Sequence, residues 1–205
     1  IEADRFMHPV IRGFHTELET VYEEKNMSLT NDFRKSLEAM DGILFADHPY
    51  GTQTVLGTQE HLKNPSVTNI KNYHKTYYVP NNMAICLSGD FDPDEMLSII
   101  EKYFGQMEPN TELPEVDFET KTVIESPVSK EVYGLDAENI MIGWKYPGAG
   151  TQEALVADVV SYILSNGSAG LIDLNLNQQQ KVLGAQAMSY TRPDAGEFLI
   201  MADPK

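Results

Sequence analysis

A chain of 205 residues with 41% hydrophobic content is long enough for one large or two small domains, each able to bury a core. Its 15 basic and 31 acidic residues leave a formal net charge of −16, which repels phosphate backbones and anionic headgroups and argues against nucleic-acid and membrane-surface partners. No apolar run reaches the eighteen or so residues of a membrane span, and the single cysteine, Cys86, excludes an internal disulfide and any multi-thiolate metal site.

Helical spacing dominates the first part of the chain and predicts one helix from Ala3 to about Ser28. Within it, Glu17 and Glu24 stand seven residues apart with Val21 between them. Seven steps return a helix to within about 20° of its starting direction, so both carboxylates project from one face. Phe14, Glu17, Leu18, Val21 and Glu24 follow the three-and-four spacing of a core-facing stripe. Two acids there require a positive partner, and a metal ion is one candidate, because a carboxylate ligates zinc at roughly 2.0–2.2 Å. The two backbone positions are about 10 Å apart along the axis, so one acid can ligate while the other supports. Spacing alone also fits a second reading, a surface helix rich in Glu, since Glu19 and Glu23 place acids on other faces.

A second helix is expected over Asp32–Phe45, ending before the turn-rich Asp47-His48-Pro49-Tyr50-Gly51. His48 in that turn suits a cleft-lining role and a plain turn role equally. Ser66 caps a third helix running to about Tyr77, where Val79-Pro80 forces extension. Asn82–Ser88 reads as a short buried strand, which would bury Cys86. Asp92-Pro93 opens the next helix and Gly105 closes it.

From Gln106 to Lys130, three prolines and the acids Glu108, Glu112, Glu115, Asp117 and Glu119 displace apolar periodicity, which predicts a partly extended linker. Beyond it a strand is expected over Asn139–Tyr146, a capped helix over Thr151–Ser165, a helix over Ala169–Val182, and strands near Ala185–Tyr190 and Glu197–Ala202.

None of the five histidines, His8, His15, His48, His61 and His74, lies in an H-E-x-x-H or H-x-x-E-H motif. His15 and Glu19 are four apart and have the spacing to pinch a metal, but they supply two ligands only. Gly148 and Gly150 lack the remainder of a phosphate-binding loop, and Ser161 and Ser168 lack a nucleophile elbow.

Three blocks together resemble one family: E-L-E-T-V-Y-E-E-K-N at Glu17–Asn26, A-D-H-P-Y-G at Ala46–Gly51, and the long block Leu56–Gly105. They look like the pitrilysin/insulinase (M16) family of inverzincin zinc metallopeptidases, especially its bacterial multi-domain members. The resemblance implies an α+β fold with a mixed sheet flanked by helices, of the mitochondrial-processing-peptidase type. Residues 1–108 would close a catalytic domain, 109–130 would link, and 131–205 would open a similar second domain. In that family an H-x-x-E-H helix supplies two zinc ligands and a general base, and a later helix supplies the third ligand. By resemblance Glu24 is that third ligand and Glu17 the acid that supports it.

The H-x-x-E-H helix is absent, so the chain is expected to be a piece that begins after it and, alone, neither to hydrolyse peptides nor to hold zinc tightly. The resemblance further implies Zn2+ as cofactor of the intact protein, a peptide or unfolded polypeptide as substrate, and the remaining domains of a parent chain as partners; the compartment, bacterial cytoplasm or periplasm, is left open by the sequence. A catalytically inactive homologue, serving as a structural or substrate-binding subunit, is the rival expectation.

Overall fold

The computed structural model describes residues 1–115, 118 and 123–205. Local signals in the sequence account for most of its helices. They are α1 (Glu2–Met7), α2 (Phe14–Ser28), α3 (Asp32–Leu44), the short α4 (Pro49–Thr52) and α5 (Gln59–Lys63), α6 (Val67–Tyr77), α7 (Pro93–Phe104) and α8 (Gln152–Leu164). Side-chain caps start four of the longer ones. Asn31 accepts from the Arg34 amide at 2.8 Å, Ser66 from Asn69 at 3.2 Å, Asp92 from Asp94 and Glu95 at 3.0 and 2.9 Å, and Thr151 from Ala154 at 3.3 Å.

Three sequence expectations are corrected. The single helix over Ala3–Ser28 is two, α1 and α2, because Pro9 lies between them and Gly13 adopts a left-handed φ of +62°. Asn82–Ser88 is not a strand: Pro80–Asn82 forms a 3₁₀ turn, Met83–Ser88 pairs with no other segment among the described residues, and Cys86 is exposed. A strand exists only through its neighbours, and no local signal supplies one. The expected helix over Ala169–Val182 is reduced to a short stretch with a π-helical turn at Asp173–Asn177. There Asp173 Oδ2 accepts from the amides of Asn166, Gly167 and Gly170 at 2.9, 2.9 and 3.2 Å, and these bonds hold its carboxyl below the usual range. Much of the expected linker is irregular, and Asp117 and Glu119 within it lie outside the described residues.

The chain divides into two compact units, Ile1–Tyr22 with Gln59–Val116, and Glu23–Thr58 with Asp117–Lys205, so that the boundary falls inside α2. In the first unit α1 packs on α7, and Phe6 stacks on Tyr78 with ring centroids 6.4 Å apart. Paired side-chain and backbone bonds tie Asn81 to Asn110 at 2.8 and 3.0 Å, and Asn110 Nδ2 closes onto the Thr76 carbonyl at 3.0 Å.

The second unit holds a three-stranded antiparallel sheet in the order β1 (Ile140–Pro147), β3 (Ala195–Asp203), β2 (Gly184–Thr191). Trp144 faces Phe198, and Phe198 faces Ser189. The period-two alternation of strands sends Ala195, Glu197 and Leu199 to one side, where α3 packs. Leu44, Phe45 and Ala195 form the buried core there, with Met40 and Tyr50 against them. On the other side α8 lies over β2, and Tyr146 is held by hydroxyl contacts of 2.6 and 2.8 Å with Ser189 and Thr191. Gly196 is required beside it, since a Cβ at that position would stand 2.1 Å from the Tyr146 ring.

Candidate functional site

Helix α2 carries both acids singled out by their spacing, and it turns them differently from the sequence expectation. Phe14, Leu18 and Val21 are partly buried, and the next position of the same stripe, Lys25, is only 5% exposed. At 100° per residue those three side chains lie within about 40° of Lys25, whereas Glu17 and Glu24 stand about 80–100° away. Both acids are exposed on this chain. The inward-facing assignment is therefore corrected: a lysine occupies the buried position, and the two acids flank the stripe.

Lys25 Nζ donates to Glu38 Oε1 of α3 at 3.1 Å and to Thr54 Oγ1 at 3.4 Å, and Thr54 in turn donates to the Gly57 carbonyl at 2.9 Å. All of these belong to the second unit. Glu24, one residue earlier, has no hydrogen-bond or ion-pair partner among the described residues and presents a free carboxylate. No group of three or more His, Cys, Asp or Glu side chains that could hold a metal is found among the described residues. The donor chemistry of Glu24 thus fits one ligand of a zinc ion, as a contribution to a site and not a whole one.

Three of the histidines have neighbours of their own. His8 Nδ1 meets Asp4 at 2.9 Å, and exposed His15 lies edge-on to Phe14 with centroids 5.4 Å apart. His48, 1% exposed, caps α4 by accepting from the Tyr50 amide through Nδ1 at 3.1 Å, which is the turn role. Its Nε2 lies 3.6 Å from Asp194 Oδ2, an oxygen that accepts a hydrogen bond from the Tyr50 hydroxyl at 2.9 Å.

A second charged cluster escaped the sequence reading. Arg192, in the β2–β3 turn, donates to Asp41 of α3 at 2.9 Å and to Glu197 of β3 at 3.2 Å, with its guanidinium 4.6 and 4.3 Å from the ring centroids of Phe45 and Tyr50. Burial pushes the Glu197 carboxyl up to about 7, the nearby Asp41 charge adds to this, and Arg192 opposes it. Burial also raises Asp41, against the pull of Arg192. The only sequence signal for this cluster is an acid at an inward position of β3, between Ala195 and Leu199.

The blocks around α2, the Asp47–Gly51 turn and α6–α7 sit in a chain whose residues 66–205, more than half of it, match the family model described as the peptidase M16 inactive domain. The chain belongs to the peptidase M16 family. It is 24% identical over 166 residues to the zinc protease PqqE of Helicobacter pylori, a match that covers 76% of this chain and 36% of that protein. Its fold is similar to the crystal structure of a protease from Helicobacter pylori, with a TM-score of 0.78 and 20% identity over 96% of this chain and 49% of the other. It is also similar to pitrilysin, with a TM-score of 0.69 and 22% identity over all of this chain and 23% of pitrilysin. The chain spans less than half the length of each of these relatives.

Proposed function

We propose that this chain is part of a zinc-dependent metalloendopeptidase acting on peptides or unfolded polypeptide segments. Residues 1–108 would close the catalytic domain, 109–130 would link, and 131–205 would open a second domain of the same type. The observation that carries the reading is Glu24: an exposed carboxylate without a partner among the described residues, on the helix of the E-x6-E motif, in a chain of the M16 family. Glu24 would hold the ion as one ligand and Glu17, one stretch earlier on α2, would support it. The chemistry such an ion would supply is activation of a water to a pKa of about 7 and polarisation of the scissile carbonyl. The carboxylate of Glu24 would offset part of the charge of such an ion as one of its ligands. The other ligands, the general base and the remaining domains would come from the rest of a longer chain. No helix among the described residues is long and apolar enough to cross a membrane.

A second reading has its own support in the description of the matched model as an inactive domain: a catalytically silent homologue that acts as a structural or substrate-binding subunit. A peptidase assay on the full-length gene product separates the two. Turnover of an unfolded polypeptide that a chelator stops and Glu24→Gln abolishes is the expected result. A full-length protein that binds the polypeptide without cleaving it would select the second reading.

A further inference from the structure

Lysine is almost never buried unless paired, and Lys25 is buried immediately after Glu24. An apolar side chain would fill the same position without taking an ammonium out of water, so what Lys25 adds is direction. Its two hydrogen bonds reach two separate segments, Glu38 on α3 and Thr54 in the loop after α4. They fix the rotation of α2 about its own axis within the second unit. That rotation decides where Glu24 points. With side chains included, a helix has a radius of about 5–6 Å, so a slip of 20° moves a carboxylate by about 2 Å. Metal–ligand distances hold to within about 0.2 Å. Among the described residues no partner of Glu24's own constrains its direction.

We propose that Lys25 is a positioning residue that aims the Glu24 carboxylate by locking α2 to α3 and the Thr54 loop, an inference that rests on Glu24 being the zinc ligand. It makes no contact with the metal or the substrate. Its loss loosens the aim of a ligand and leaves the ligand chemically intact.

The experiment measures zinc dissociation constants by chelator competition, with kcat and KM alongside, for the full-length protein and its Lys25→Met, Lys25→Arg, Glu38→Gln and Glu24→Gln variants. Lys25→Met keeps an unbranched side chain one atom shorter and removes its donors. It is expected to weaken zinc binding about 10–100-fold and to lower kcat with little change in KM. Lys25→Arg restores much of the affinity, and Glu38→Gln shifts it in the same direction as Lys25→Met by less. A Lys25→Met protein that melts lower yet holds zinc as tightly as the wild type, while Glu24→Gln loses it, would overturn the positioning role and leave the ligand standing. Wild-type affinity in Glu24→Gln would overturn the ligand assignment and this inference with it. Should Lys25→Met fail to fold, Glu38→Gln decides, and unchanged zinc affinity in that variant overturns the proposal.

Discussion

Arg192 Nη2 donates to Glu197 Oε1 at 3.2 Å and to Asp41 at 2.9 Å, so one guanidinium in the β2–β3 turn faces two carboxyl groups, one on its own sheet and one on α3. One positive charge cannot balance two negative ones, one buried and one partly buried. Burial and the nearby Asp41 charge raise the Glu197 carboxyl to about 7, which favours its protonated form.

The sign of the resulting pH dependence follows from linkage. A carboxyl raised on folding contributes stability that is fully present below its unfolded value near 4.5 and is lost as pH rises through about 7. Urea unfolding should therefore show stability falling between pH 4.5 and 7, by about 3 kcal/mol at most from this group. Glu197→Gln keeps a neutral acceptor for Arg192 and should flatten that slope and stabilise the protein at pH 8. An equally steep slope in the variant would show that the proton resides elsewhere.

The close approach of Tyr146 to Gly196 gives a packing prediction. A Cβ on residue 196 would stand 2.1 Å from a ring that Ser189 and Thr191 hold in place. Gly196→Ala should cost about 1–3 kcal/mol in equilibrium unfolding, and Gly196→Ala with Tyr146→Leu should recover part of it. A neutral single variant would mean the ring moves freely.

Met83–Leu87 is apolar and without a strand partner among the described residues, and Ile85 and Leu87 are 44% and 48% exposed. An unpaired apolar segment of this kind invites association. This chain on its own should elute in size exclusion above its 23.0 kDa mass, and Ile85→Lys with Leu87→Lys should shift it toward the monomer. Monomeric elution of the unaltered chain at high concentration would refute the expectation.

Ser66, Asp92 and Thr151 announced their helices because a cap is a local bond between neighbours, and the strands around Met188 and Leu199 were legible through their alternation. The family resemblance in Glu17–Asn26 and Leu56–Gly105 was legible as well, and the α+β class was legible in the succession of helix and strand patterns. Met83–Leu87 misled because its pattern is that of a strand and pairing depends on residues elsewhere. The turning of Glu17 and Glu24 misled for another reason: the buried stripe of α2 continues onto Lys25, and a hydrophobic count passes over a lysine. Arg192 and Asp41 lie 151 positions apart in the chain, a separation that no local rule bridges.

The role of Glu24 is tested most directly by the zinc content of the full-length protein, measured by elemental analysis after purification without added metal. One zinc per chain in the wild type and close to none in Glu24→Gln, with the variant still folded by circular dichroism, is the predicted result. One zinc per chain in both proteins would contradict the assignment of Glu24 as a ligand.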